Sequence, residues 1–247
     1  MPWLREAFPT HSAFSTAGIE DIMSTSLSTS VSAATLAHTL FLNRGDRFDA
    51  IPLPPEAQWA PAFGVTVADF DGDGHEDAFL AQNHFSAQPF TPRCDAGRGL
   101  LLRGDGKGGL TPLPAGQSGI AVFGEMRGCA SADYDGDGRT DLVVTQNGAA
   151  TCLFHNATAR PGLRVKLAGP PGNLDGIGAQ VRLLFAKGRG PIRELHAGSG
   201  YWSQDSLTPV LATPGKPVSV WVRWPGGKIG AAKIPPGATE VTVPFGR

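Results

Sequence analysis

Apolar residues in this chain come in short runs separated by glycine, proline and aspartate. Ala78-Phe79-Leu80 and Leu142-Val143-Val144-Thr145 each follow an acidic, glycine-rich segment and read as strands, the second of them β-branched. Past Ala157 the runs are Leu163–Leu167, Val181–Phe185, Val218–Val222 and Val241–Val243, the latter pairs alternating apolar and polar positions in the strand period of two. Gly/Pro clusters at 169–172, 188–191, 225–227 and 235–237 separate them. The pattern predicts an all-β chain whose last part, 158–247, is a small antiparallel β domain of ordinary size. No apolar run is long enough to span a membrane, and the stretch from Met1 to Pro9 lacks the apolar core of a signal peptide.

The acidic segments carry the chemistry. Asp69-Phe70-Asp71-Gly72-Asp73-Gly74-His75-Glu76-Asp77 and Asp133-Tyr134-Asp135-Gly136-Asp137-Gly138-Arg139-Thr140-Asp141 share one pattern. Positions 1, 3, 5 and 9 offer carboxylate oxygens, and position 7, His75 or Arg139, offers its carbonyl. Ca²⁺ takes about 6–8 oxygen ligands, and glycines between the aspartates allow the tight wrap this requires. Four carboxylates this close repel one another unless a cation lies among them. An EF-hand loop would end in Glu at position 12 and enter a helix, whereas these end in Asp at position 9 and enter a strand. Asp and Gly also fill metal-free turns, but two full copies favour two Ca²⁺ sites.

The loops sit in a longer repeat. Phe41-Leu42-Asn43-Arg44-Gly45-Asp46, Leu53-Pro54 and Phe63-Gly64 lead to the first loop, which ends in Ala81-Gln82-Asn83. Leu101-Leu102-Arg103-Gly104-Asp105, Leu113-Pro114 and Phe123-Gly124 lead to the second, which ends in Thr145-Gln146-Asn147, and Cys152-Leu153-Phe154-His155-Asn156 starts a third. Gly18-Ile19-Glu20-Asp21 aligns with Gly74 to Asp77 as a worn copy, with Ala13, Ser15 and Ala17 where aspartates stand elsewhere, so no metal is expected there. The Ser/Thr-rich stretch from Ser24 to Thr35 reads as a loop. Repeats of this length made of short strands point to propeller blades rather than a linear solenoid.

These residues resemble the FG-GAP/VCBS repeats of integrin α-subunits, which implies β-propeller blades with Ca²⁺ loops over residues 1–157. The C-terminal part resembles the ASPIC/UnbV domain through Asn173, Gly176-Ile177-Gly178-Ala179, Glu194, Gly198-Ser199-Gly200-Tyr201, Ser203-Gln204 and Trp221 to Gly227. It departs from the family at Pro209 to Pro214, where an aromatic-Gly-Leu-Gly segment is usual. The tandem is similar to the cartilage acidic protein family. The resemblance implies a secreted, periplasmic or cell-surface Ca²⁺-binding protein of adhesion type, and bacterial members are labelled accessory proteins of enediyne biosynthesis. Two full repeats are fewer than a ring needs, so the chain is expected to be the C-terminal part of a longer protein, its incomplete ring completed by further N-terminal blades.

Composition narrows this further. A formal net charge of −1 and a pI near 6.6 give no reason to expect nucleic acid or a membrane surface. Cys94, Cys129 and Cys152 allow one disulfide plus a free thiol, or three reduced thiols. Arg44-Gly45-Asp46 and Arg103-Gly104-Asp105 spell an integrin-recognition tripeptide, but at turn positions where Gly and Asp are needed anyway. Asn156-Ala157-Thr158 is a glycosylation pattern. Trp202, Trp221 and Trp224 with Tyr201 read as core before they read as an aromatic platform. Ser118 lacks the second spacer of a nucleophile elbow, and the six histidines form no zinc pair. The expectation is a non-enzymatic Ca²⁺-binding interaction module with a protein or glycan ligand. The alternative is a biosynthetic accessory protein or an enzyme with an unrecognised site.

Overall fold

Glycine and proline interrupt this chain too often for long helices. The five helices of the computed structural model are four to six residues each, against sixteen strands, among the described residues 2–22, 31–85 and 92–246. The chain is all-β in class, and Cα packing divides it into residues 1–36 and residues 37–247.

The first unit holds α1 (Pro2–Ala7), α2 (His11–Thr16) and α3 (Ile19–Ile22). Thr10 caps α2, its Oγ1 accepting the Ala13 N–H at 3.1 Å, and Phe8 meets Phe14 edge-on at 5.9 Å. This differs from the worn repeat expected over 13–21. Ala13, Ser15 and Ala17 offer no carboxylate where the other copies fold their loops, Asp21 accepts only the Gly18 N–H at 2.9 Å, and a Thr cap followed by short side chains favours helical turns. Residues 24–30 of the expected Ser/Thr-rich loop lie outside the described residues.

The second unit opens with a hairpin, β1 (Thr39–Asn43) and β2 (Phe48–Pro52), followed by the single turn α4 (Pro55–Gln58). Next comes a four-stranded antiparallel meander of β3 (Ala62–Ala68), β4 (Asp77–Gln82), β5 (Leu100–Gly104) and β6 (Leu110–Leu113). After α5 (Ala115–Ser118), β7 (Glu125–Ala132), β8 (Asp141–Asn147) and β9 (Ala149–Phe154) form a three-stranded version of the same meander. The register slips at matching places, between Ala62 and Gly64 in one sheet and between Met126 and Cys129 in the other. The repeat read from the sequence is therefore a repeat of pairing geometry as well. Phe79, Ala81, Leu101, Met126, Leu142 and Val144 join the two sheets in one apolar core. Among the described residues, none of the sheets closes on itself.

The remaining strands are β10 (Leu163–Ala168), β11 (Gln180–Phe185), β12 (Arg193–Glu194), β13 (Val210–Leu211), β14 (Pro217–Arg223), β15 (Ile229–Lys233) and β16 (Glu240–Pro244). They make two sheets, β13-β10-β16 and β12-β11-β14-β15. The alternation seen in the sequence decides what faces inward. Leu163, Val165 and Leu167 of β10 and Val181 and Leu183 of β11 are buried, as are Val220 and Val222 of β14 and Val241 and Val243 of β16. Each such side chain contributes about 1.5–3 kcal/mol by leaving water. Trp224 closes this core edge-on to Phe245 at 5.2 Å. The domain is not purely antiparallel: β10 and β16 run parallel, because the chain crosses through the other sheet between them. The departing segment Pro209 to Pro214 supplies β13, which pairs with β10.

The sandwich is stitched to the repeats by polar contacts. Asp205 Oδ1 accepts from Thr66 Oγ1 (2.8 Å), Ser131 Oγ (3.0 Å) and the Ser131 N–H (2.7 Å), bridging β3 and β7. All three cysteines are free thiols, Cys94 exposed and Cys129 buried. Burial, with the charge of Asp205 adding to it, pushes the Cys129 thiol up to about 12. A thiol titration at pH 8 is expected to modify Cys94 rapidly and to leave Cys129 untouched until the protein is unfolded. Equal rates at both positions would contradict the packing around β7.

Candidate metal centre

Both acidic loops join an inner strand to its neighbour, β3 to β4 and β7 to β8. The same local rules shape each. The position-1 carboxylate folds the loop by accepting its amides: Asp69 takes the N–H of Gly72 (2.7 Å) and Gly74 (2.8 Å), and Asp133 those of Gly136 (2.8 Å) and Gly138 (2.9 Å). Positions 3 and 5 make Asx turns, Asp71 and Asp135 accepting from Asp73 and Asp137, and those from His75 and Arg139. Position 9 is buried and anchors the loop to the sheet. Asp77 accepts from Phe70 and Gly104 (both 2.8 Å), and Asp141 from Tyr134 (3.1 Å) and Asn156 (2.7 Å). The glycines between aspartates have positive φ, 74° at Gly72 and 81° at Gly136.

The structure brings some of the expected ligands together and leaves others apart. Carboxylate oxygens of Asp69, Asp71 and Asp77 lie within 4.8 Å of one another, as do those of Asp133, Asp135 and Asp141. Asp73 stands outside the first cluster, its Oδ1 holding the His75 N–H at 2.8 Å. Asp137 groups instead with Asp135 and His155, and its carboxylate is bound by the Arg139 guanidinium. At position 7, His75 and Arg139 contribute backbone to the loops.

Electrostatics fits a hard cation. Burial raises the carboxyl of Asp69 above its ordinary range, the N–H bonds from Gly74 and Gly72 offset part of this, and the charges of Asp71 and Asp73 add to it. Burial likewise takes Asp77 up to about 6, partly offset by Gly104 and Phe70 and reinforced by Asp71 and Asp69. Asp141 is raised too, first by burial. Asp137 moves the other way, a burial cost being outweighed by its hydrogen bonds from Arg139. Crowded, partly desolvated, all-oxygen clusters suit Ca²⁺, whose charge would hold these carboxyls ionised.

Sequence reasoning missed the basic side chains around the loops. Gly104 and Asn156 occupy the same place in their repeats, each donating to the position-9 carboxylate. The residue before each one approaches position 3: Arg103 Nε lies 3.6 Å from Asp71, and His155 Nδ1 lies 3.3 Å from Asp135. Aligning these two starts carried that signal. The second loop has a further neighbour from β10, Arg164, with Nη1 3.2 Å from Asp133 Oδ2. The linker between sheets and sandwich threads past both loops: Arg160 N–H donates to the Asp71 carbonyl (3.3 Å) and Gly162 N–H to that of Gly138 (2.7 Å).

The remaining motifs resolve locally. Gly104 belongs to β5 and packs on the Glu76 carbonyl, so its tripeptide is built into the sheet. Asn156 Nδ2 donates to the carbonyls of Phe70 (2.8 Å) and Thr140 (2.9 Å), which ties up the glycosylation-pattern amide. The aromatic set divides, with Trp224 in the core, Trp221 on the outward side of β14, and Trp202 exposed at φ +49° beside Tyr201.

Residues 169–245 match the family model described as ASPIC and UnbV. The match supports the reading of the C-terminal sandwich as that domain. No curated protein matches the chain.

Two outcomes follow from this geometry. A Cβ on Gly72 would meet the Arg160 carbonyl at 2.5 Å, whereas Gly45, also at positive φ, has open space around it. Gly72→Ala is expected to cost well over the roughly 1 kcal/mol expected for Gly45→Ala, and so to lower the melting temperature further in thermal unfolding. The second outcome concerns pH in the presence of EGTA. Asp77 is raised in the fold, so its stabilising contribution is full below about 3.8 and lost as pH rises through about 6. Metal-free protein is therefore expected to melt at a lower temperature at pH 7 than at pH 5.

Proposed function

We propose that this chain is a Ca²⁺-stabilised interaction module, its two repeat sheets serving as propeller-type blades and its ASPIC/UnbV sandwich docked against them. The observation that carries the reading is the convergence of the position-1, -3 and -9 carboxylates in both loops, on partly desolvated ground. Asp69, Asp71 and Asp77 would hold one ion and Asp133, Asp135 and Asp141 the other, with Asp73, Asp137 and the position-7 carbonyls as further oxygen donors. A bound ion would supply charge neutralisation to these carboxylates. The chain's own contribution is to fix the loop between inner strand, third strand and linker, so that binding stiffens the seat of the sandwich. The ASPIC/UnbV match is consistent with an extracellular or adhesion-type setting. Millimolar calcium there suits a Kd of about 10⁻⁴–10⁻³ M.

The two loops are not equivalent. Arg139, Arg164 and His155 meet Asp137, Asp133 and Asp135 of the second loop, whereas in the first Arg103 stands 3.6 Å from Asp71 and Arg193 pairs with Glu76, outside the expected ligand set. Resident positive charge competes with a cation, so the first loop is expected to bind more tightly. Calorimetric titration of Asp71→Asn and Asp135→Asn variants reads each site separately. Thermal unfolding in about 2 mM Ca²⁺ against excess EGTA is expected to show a rise in melting temperature that the double variant loses. A cooperatively folded protein with no shift would overturn the reading. Limited proteolysis adds a local readout. Trypsin cleavage after Arg164 is expected to slow in Ca²⁺, because its guanidinium lies on Asp133 and the linker before it packs on both loops.

One observation favours a second reading, a ligand-binding accessory protein of enediyne-type biosynthesis or an enzyme. A groove of about 1100 Å³ lies between the first loop, β1 and the sandwich, lined by Leu40, Leu42, Leu110, Phe185 and Pro214 with His75. A small molecule retained by the purified protein and lost on Leu42→Arg would support it.

A further inference from the structure

The overall charge of −1 conceals a segregation. Residues 158–247 carry twelve Lys and Arg against four Asp and Glu, and residues 1–157 carry nine against eighteen. Part of that excess is spent on the repeats, through Arg164 at Asp133 and Arg193 at Glu76. Another part points the opposite way.

In the sheet β12-β11-β14-β15, cross-strand partners share a face. Val181 pairs with Val222 and Leu183 with Val220, and all four are buried. The alternate set is outward: Gln180 opposite Arg223, Arg182 opposite Trp221, Ser219 opposite Lys233, with Arg189 bridged to Leu184 at the end of β11. Four cations therefore stand on one open sheet face. Arg189, Arg223 and Lys233 are exposed, and among the described residues none of the four makes an ion pair. The carboxylate at the corner, Glu194, is engaged by Gln180 Nε2 at 3.1 Å and lies 3.6 Å from His196 Nδ1. Arg182 is the informative member. Its Nε is buried with no hydrogen-bond partner, and burial together with the charge of Arg189 holds its guanidinium below the ordinary range. A guanidinium whose buried Nε has no partner, among cations that make no ion pair, calls for an external anion.

We propose that this face binds a sulfated polysaccharide chain. Charge complementarity selects a polyanion, and the layout selects its form. Alternate residues on a strand lie about 7 Å apart and neighbouring strands about 4.8 Å apart. Arg182, Arg223 and Lys233 thus rise from separated points on a flat surface and suit an extended chain with repeated anionic groups. Nucleic acid is disfavoured because the Arg182 guanidinium already sits 5.9 Å over the Trp221 ring. The other outward residues, Gln180, Leu184, Ser219, Ala231 and Ile229, present no aromatic surface for a base. Sulfate groups on a polysaccharide need only the cations.

The test uses the whole chain in about 2 mM Ca²⁺, with heparin as probe and calorimetry at about 50 and 200 mM salt. Arg223→Gln/Lys233→Gln removes two exposed charges from the face, and Lys166→Gln/Lys216→Gln removes two from elsewhere in the same domain. The face variant is expected to weaken binding by about tenfold or more and to flatten its salt dependence, with the control within about twofold of wild type. Absence of heparin binding at low salt would overturn the proposal. So would equal weakening in both variants, or tighter, equally face-dependent binding of a single-stranded oligothymidine of matched charge.

Discussion

A carboxylate taken out of water has to be met by donors or by a cation, and Asp77 and Asp141 impose that condition on everything around them. Each is nearly fully buried, and each is met by the amide that follows its loop's first aspartate and by an amide at or just past the end of the third strand, Gly104 in β5 and Asn156 two residues beyond β9. Those two bonds set where the loop begins, how the third strand registers, and where the remaining aspartates point. Their amide bonds offset only part of the burial cost, since Asp77 still sits near 6 and Asp141 is raised. The residual cost is what a bound cation would remove. Sheet geometry and the proposed metal binding would thus trace to the same kind of buried carboxylate.

The sandwich shares in this arrangement. Arg164 on β10 reaches Asp133, Arg193 on β12 reaches Glu76, and Asp205 gathers donors from β3 and β7. The linker amides of Arg160 and Gly162 lie on the loop carbonyls of Asp71 and Gly138. An ion entering either loop would therefore act on groups that position the C-terminal domain. The inner strands, the loops and the sandwich form one polar seam, with an apolar core on either side of it.

Much of this was legible in the sequence because it is local. Spacing of Asp and Gly reports the loop, and alternation in Leu163–Leu167 reports which side of β10 is buried. Contacts across long stretches of chain were not legible. Nothing near Asp133 announces Arg164, and nothing near Leu163 announces a parallel partner at Glu240–Pro244. His155 lay between these cases, visible only once Asn156 is aligned with Gly104. The helical turns over 11–22 replaced an expected loop, because spacing alone, without the aspartates, does not impose one. Net charge misled by averaging, since an acidic first part and a basic second part cancel.

Calcium in both loops is what the proposed function requires. The most direct measurement is the number of calcium ions retained per folded chain at millimolar free Ca²⁺, by equilibrium dialysis with metal analysis. The account expects two for the wild type, one for each of Asp71→Asn and Asp135→Asn, and none for the double variant. A folded wild-type chain that retains none would contradict it.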